Sequence, residues 1–367
     1  MTKVNMIKLP GLIDPHVHVR EPGATHKEDW DTATQAALAG GVTAILAMPN
    51  TQPPIFDAST LDLALEAARQ KARCDYAQFA GAGPVNADIV ASLASSTAGL
   101  KMYLDSTFGE LRLDDMTRWM PHFESYPKEY PIVVHSESRS MAAAILFAAI
   151  NDRSVHIAHI SLKEEVLIIK AARQRGLKVT CEVCPHHLFI TADSPLLSGE
   201  ALGVRGKGRS EVRPRLATQS DVDALWQNLD VIDCFATDHA PHTLEEKELV
   251  NPPPGFPGLE TLLPLLLTAV DDGRLTVDQI IQKSVLNPRK IFNVPEQPET
   301  WVEVDENAEY EIRASEQFTR CGWTPFEGWK VKGKVRKVVL RGRTAFEDGK
   351  ILVEKGYGQN IREQKRL

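Results

Sequence analysis

Two histidines one residue apart, His16-Val17-His18, carry the sharpest chemical signal in the sequence. Side chains two apart on a strand point to the same side, so both imidazoles would face one centre. Arg20 follows at once, then a turn at Glu21-Pro22-Gly23. Other apolar runs end in further candidates: His135 in PIVVHSE, His159 in VHIAHI and Asp238 in FATDHAPH. Lys101 stands in GLKMYL, a charge inside an otherwise apolar run. Read alone, it is a snorkelling lysine at a strand edge. Buried, it needs a partner or altered chemistry, because an uncompensated ammonium is costly to desolvate. Imidazoles and a carboxylate are ligands for Zn²⁺ or a similar divalent ion. Two such ions about 3.5–4 Å apart could share a hydroxide and polarise a carbonyl.

Such chemistry requires one scaffold that brings all these residues together. Apolar runs at 11–18, 43–48, 76–82, 99–104, 131–137, 154–160, 177–184 and 231–238 read as buried strands. They are continuous rather than alternating, as expected of strands covered on both faces. Amphipathic helices lie between them. Leu61, Leu65 and Ala68 share a face after the capping candidates Asp57 and Ser59. Leu162, Val166 and Ile169 do the same in a segment that ends at Gly176, a C′ glycine. Eight βα units predict an α/β fold of the (β/α)8 TIM-barrel type, with a doubly wound open sheet as the alternative. The C-terminal mouth of such a barrel carries the site, and the six candidates fall there.

Two features depart from an even barrel. The connection 185–230 is long and holds VRGKGRSEVRPRL. After about residue 295 the texture changes to short β-like pieces, WVEVD, YEIR and KVRKVVLRG, and TAFEDGKILV reads as a hairpin around Asp348-Gly349. The expected division is a barrel over 10–295 and a small β appendage from 296–367, joined by 1–9.

The chain has 367 residues, 42 basic and 49 acidic, for a net charge of −7. That balance argues against nucleic acid or an anionic membrane as partner, both of which call for excess Lys and Arg. No run of about 20 apolar residues exists to span a bilayer. The five cysteines, Cys74, Cys181, Cys184, Cys234 and Cys321, are scattered and odd in number. MTKVNMIKLP has neither the apolar run nor the cleavage pattern of a secretory leader, so a reducing, cytoplasmic compartment is expected. The lone Cys181-x-x-Cys184 reads as small buried hydrophobes. His26, His122 and His156 lack motif context and read as surface or packing residues.

Longer strings carry a family resemblance. GLIDPHVHVREPG (11–23), MPNT (48–51), GLK (99–101) and DHAPH (238–242) resemble the dihydroorotases of the amidohydrolase superfamily. The similarity runs over essentially the whole chain. Through THKED, AALAGG, CEVCPHHLF, DHAPHTLEEK and PPPGFPGLET it is greatest to the dihydroorotase domain of the animal multifunctional pyrimidine enzyme.

The resemblance implies reversible cyclisation of N-carbamoyl-L-aspartate to L-dihydroorotate in de novo pyrimidine biosynthesis, at a centre of two zinc ions bridged by hydroxide. By the same resemblance His16 and His18 bind the first ion, His135 and His159 the second, and a carboxylated Lys101 bridges them. Asp238 ligates the first ion and shuttles the proton. Arg20, Asn50, Arg213 and His242 hold the substrate's carboxylates, and backbone near Pro254 and Gly255 frames its ring. In the loop 105–112, Thr107 and Phe108 close over the substrate. Glu182 matches a residue that binds an additional zinc in some relatives. Those relatives have a cysteine where this chain has Ala158, so a third ion at Glu182 lacks one of its ligands. His186 and His187 match the family string without an assigned role.

A homodimer and a place in a larger multienzyme chain are also implied, and the start just ahead of the first strand leads to the second expectation. Two alternatives compete. A hydantoinase, dihydropyrimidinase or allantoinase shares the H-x-H and the lysine, yet acts on less charged rings and does not need Arg20, Asn50 and Arg213 together. A non-catalytic, dihydroorotase-like scaffold predicts gaps among the ligand positions, and none occurs at His16, His18, Lys101, His135, His159 or Asp238.

Overall fold

The apolar runs become strands whose residues are buried on both faces, which is why their hydrophobicity does not alternate. A computed structural model describes residues 5–107, 111–194 and 207–363. The first strands in chain order are β1 (Met6–Pro10), β2 (Leu12–Val17), β3 (Val42–Ala47), β4 (Asp75–Gln78) and β5 (Ala80–Gly81). Then come β6 (Leu100–Tyr103), β7 (Ile132–His135), β8 (Val155–Ile157), β9 (Val179–Val183) and β10 (Cys234–Phe235). The chain finishes with β11 (Trp301–Glu311), β12 (Lys330–Leu340), β13 (Arg343–Glu347) and β14 (Lys350–Ile351). Strands β2 to β4 pair in parallel, and so do β5 to β10 in sequence order. Phe79 alone separates β4 from β5, and Phe79 N donates to Ala47 O at 2.9 Å, so the two form one position of the ring. The ring closes where Val17 bridges His239 and His18 N donates to His239 O at 2.7 Å. This is the (β/α)8 barrel, not the open sheet.

Local signals set the helices between strands. Asp57, rather than Ser59, caps the helix Ala58–Lys71, its carboxylate accepting from Thr60 N at 2.8 Å. Gly176, at φ +79, ends the helix Lys163–Gln174. The last barrel strand is shorter than its apolar run, because the chain turns away at Asp238, whose φ is +45. Among the described residues no helix is long and apolar enough to cross a membrane.

Below the mouth the barrel is filled by Ile13, Ala44, Leu46, Ala77, Phe79, Val133 and Cys234, and Phe292, Val294 and Ile361 pack into the same cluster. Ile361 N donates to Tyr76 O and Arg362 Nη2 to Ala98 O, so the C-terminal segment covers the N-terminal ends of β4 and β6. The site at the mouth thus stands on a dry, filled floor.

The remaining strands form a five-stranded antiparallel sheet, β1-β11-β12-β13-β14. Pairing of β1 with β11 brings the opening residues to the C-terminal sheet. WVEVD and YEIR, read as separate pieces, are one strand with a register shift between Asp305 and Glu309, where polar residues bulge out. The hairpin turns at Asp348-Gly349 as expected, both with positive φ. The helix Leu262–Asp271 is packed between barrel and sheet. Gly333 allows this closeness, since a Cβ there would lie 2.4 Å from Leu267.

Asp75, at the start of β4 and 1% exposed, links the two layers. It accepts from Arg341 Nη1 of the β12–β13 turn, from Gln297 Nε2 at 2.8 Å and from Gln359 N at 3.0 Å. Asp75→Ala leaves a partly buried guanidinium without its counter-charge and should cost about 3 kcal/mol. Urea unfolding checks this: the midpoint should fall, and an unchanged midpoint would mean the link carries no stability.

Candidate active site at the barrel mouth

Strand parity places the side chains. His16 and His18 leave the end of β2 on the same side, and their ring centroids lie 5.3 Å apart. Each ring is oriented from behind by an acceptor. His16 Nδ1 lies 2.5 Å from Glu182 Oε1, and His18 Nδ1 lies 2.7 Å from Asn50 Oδ1. An acceptor there fixes the proton on Nδ1 and leaves Nε2 as a lone pair. Both Nε2 atoms converge on Asp238 Oδ1, at 3.2 Å from His16 and 3.0 Å from His18. Three electron-pair donors thus meet in a site where all are buried. That geometry suits a cation, and a metal fits it.

Burial keeps His18 neutral, its pKa falling to about 4. Asp238 keeps its left-handed backbone because its neighbours are pinned. Thr237 Oγ1 donates to Asp14 Oδ2 at 2.5 Å, and His16 N donates to Asp14 Oδ1 at 3.1 Å. Asp14 so joins both ends of the closing seam. Arg20 (φ +68) and His159 (φ +35) share the strained backbone region, a conformation that persists only where surroundings over-determine it.

The second pair is equally close. His135 Nδ1 lies 2.9 Å from His159 Nε2, while the outer nitrogens, His135 Nε2 and His159 Nδ1, have no partner among the described residues. Burial lowers His135 to about 3 and holds His159 well below its ordinary value, so both rings are neutral and able to ligate. Lys101 does not snorkel. It is fully buried, with Nζ 3.5 Å from His16 Nε2, and burial lowers its pKa to about 8. Glu182 is turned away from this group. Its second oxygen lies 3.1 Å from His156 Nε2, so both oxygens face imidazoles. Burial would raise its carboxyl, yet His16 and His156 hold it well below the usual range. His156, read as a packing residue, therefore supports the acceptor behind His16.

Above the donors a cleft is lined by His16, His18, Arg20, Asn50, Tyr103, Thr107, His135, His159, Arg213, Asp238, Ala240, Pro254 and Gly255. The expected substrate residues thus share one wall with the expected ligands. His242 stands just behind it, with Arg20 Nη2 and Pro254 O 3.0 and 3.1 Å from its Nε2 and Lys27 Nζ 3.1 Å from its Nδ1. Burial and the Arg20 charge push its pKa down to about 2. Arg213 is half-buried and paired with Glu211 at 2.8 Å. Phe108 lies outside the described residues.

Sequence reasoning missed Tyr103, Asp14, Lys27 and Lys247. The signal for Tyr103 was available: it stands two residues after Lys101 on the same face of β6, and its buried hydroxyl has no partner among the described residues. Lys247 sits in a charged run that looks solvated, yet it is fully buried. Its Nζ donates to Glu211 O at 2.8 Å, Pro253 O at 2.9 Å and Gly255 O at 3.1 Å. One ammonium thereby joins the loop carrying Arg213 to the loop carrying Pro254 and Gly255. Gly255 (φ +142) lets that loop approach, since a Cβ would lie 2.4 Å from Ala240 O.

Comparison with known proteins places the chain in a family. The model of the Amidohydrolase family matches residues 7–345. The chain is 56% identical over 362 residues to the multifunctional protein CAD of Squalus acanthias, covering 99% of this chain and 16% of that protein. It is 37% identical to a dihydroorotase of Pyrococcus furiosus, covering 94% of this chain and 82% of that enzyme. The chain therefore spans about one sixth of its multifunctional relatives and most of the archaeal one. Among solved structures, an L-hydantoinase from Arthrobacter aurescens superposes with a TM-score of 0.88 at 24% identity, over 96% of this chain and 88% of that one. An inactive dihydroorotase-like domain from a Chaetomium thermophilum CAD-like protein gives 0.80 at 29% identity, over 97% and 99%.

The Lys247 contacts yield a test. Lys247→Met keeps the length of the side chain but releases both loops, and misplacing substrate groups by about 1 Å costs on the order of 10²-fold. The variant should lose that much in kcat/KM while its metal content, measured by elemental analysis, stays the same. Lost metal would mean that Lys247 supports the donor cluster instead.

Proposed function

The chain belongs to the amidohydrolase family, and from that premise we propose that it is a dihydroorotase, interconverting N-carbamoyl-L-aspartate and L-dihydroorotate by reversible ring closure. The observation that carries the reading is the complete donor set, His16, His18, Lys101, His135, His159 and Asp238, under a wall that includes Arg20, Asn50 and Arg213. A hydantoinase has no use for two arginines beside its ring, and a scaffold has no use for an intact donor set.

Zinc held by His16, His18 and Asp238, with a second ion at His135 and His159, would polarise the ring carbonyl and make water nucleophilic near neutral pH. The protein's own groups do the rest. Arg20, Arg213, Asn50 and His242 orient the carboxylates, guanidinium forks matching them in two-point contacts. Backbone at Pro254 and Gly255 frames the ring. In hydrolysis Asp238 takes the proton from water and delivers it to the leaving ring nitrogen. In synthesis Asp238 takes a proton from the carbamoyl nitrogen as that nitrogen closes on the side-chain carboxyl and passes it to the departing carboxyl oxygen, which leaves as water with a second proton from solvent. Thr107 lines the cavity, where it would cover a bound substrate.

Lys101 is suited to modification. Burial lowers the Lys101 pKa to about 8, which raises the fraction present as neutral amine near physiological pH, and the neutral amine is the form that adds carbon dioxide. We assign it as the carboxylated bridging ligand. The barrel carries the chemistry, the sheet of β1 with β11 to β14 forms the appendage, and Ile361 and Arg362 return to the barrel floor. A homodimer, a cytoplasmic location and membership in a larger pyrimidine-synthesis chain complete the proposal; the multifunctional relatives and the five free, buried cysteines support the last two.

Asp238→Ala tests the assignment. Loss of a positioned acid–base group should lower turnover in both directions by at least about 10²-fold. Wild-type rates in the variant would refute the role of Asp238. An absence of turnover in the zinc-replete parent would favour the non-catalytic reading.

A further inference from the structure

Beyond the end of β9 lies a second group of metal-binding side chains that the dihydroorotase chemistry does not use. Cys184, His186 and His187 each present one donor atom within 4.8 Å of the others, and all three are buried. The group shares no residue with His16, His18 and Asp238, and Glu182 is not part of it.

The hydrogen bonds indicate how its imidazoles are set. His187 Nε2 lies 3.1 Å from Pro214 O. A carbonyl only accepts, so Nε2 carries the proton and Nδ1 is left as a lone pair. That Nδ1 has no partner among the described residues, and neither has His186 Nε2. The two rings stand 4.3 Å apart, and burial drives both below the ordinary histidine range, His187 to about 4. Cys184 forms no disulfide. Two buried ring nitrogens, His186 Nε2 and His187 Nδ1, thus belong to a group with a buried thiol and have no partner among the described residues, which is costly unless something fills the gap. A backbone carbonyl behind a ring is also the usual outer partner of a ligating histidine.

We infer that Cys184, His186 and His187 form a further metal site, taking a borderline-soft divalent ion such as zinc through one thiolate and two imidazoles. Sulfur with two ring nitrogens favours zinc over the hard ions. Binding displaces the thiol proton to solvent as the sulfur–metal bond forms. The ion ties the end of β9 to Pro214 through His187, so its part is structural. The site stands independently of the dihydroorotase reading: a chain that binds this ion without turnover would overturn that reading and not this one.

Cobalt substitution tests it, because the donor cluster at the barrel mouth contains no sulfur. Protein loaded with Co²⁺ should show a thiolate-to-cobalt charge-transfer band in the near ultraviolet. Cys184→Ser should abolish the band, lower bound metal by one equivalent per chain and leave dihydroorotate turnover in place. Cys181→Ser should keep the band. Absence of the band in the parent, or equal metal content in parent and Cys184→Ser, overturns the proposal. Should Cys184→Ser fail to fold, X-ray absorption of the zinc-loaded parent decides: sulfur in the zinc shell supports the site, and nitrogen and oxygen alone contradict it.

Discussion

Electron-pair donors gathered at a buried site govern this structure. His16 Nε2 and His18 Nε2 lie 3.2 and 3.0 Å from Asp238 Oδ1, and all three residues are buried. Such a set is unfavourable unless a positive charge joins it. The surroundings make sense from that requirement. Glu182 and Asn50 fix the ring protons on the far side, so the lone pairs cannot rotate away. Asp14 fastens β2 to the turn that bears Asp238, and three non-glycine residues of the site keep a left-handed backbone. A filled barrel floor and a second sheet supply the rigidity against which this strain is held.

Charge is distributed to the same end. The chain is acidic overall, at −7, yet Arg20, Lys27, Arg213 and Lys247 cluster around the cavity or just behind it. Each buried cation is answered by carbonyls or a carboxylate: Arg20 by Pro241 O, Lys27 by Glu246, Lys247 by three carbonyls. Average charge excluded polyanions as partners and said nothing about small anions. The local arrangement favours a substrate with carboxylates.

Much of this was legible in the residues. Continuous apolar runs mark strands covered on both faces, and period-two parity at strand ends places His16 with His18 without any structure. Lys101 could not be decided from its own run, since a snorkelling lysine and a buried one have the same neighbours in sequence; depth in the barrel decides it. Lys247 was illegible for a related reason. Its burial comes from Phe256 and Trp323, which meet it only in three dimensions. Tyr103 was legible by parity with Lys101 and was overlooked. The bulge that fuses two β pieces into β11 arises from pairing with β12, which local sequence does not encode. Family resemblance supplied the roles of the substrate wall, which spacing alone does not assign.

The central claim is that the buried donors bind metal and that this metal is what makes the barrel a catalyst. Stripping the protein with a chelator and returning zinc in steps, while following dihydroorotate hydrolysis and bound metal in the same samples, tests it most directly. Turnover should be absent in the stripped protein and rise in step with metal at the barrel mouth. Full turnover in protein shown to be free of metal would contradict the account.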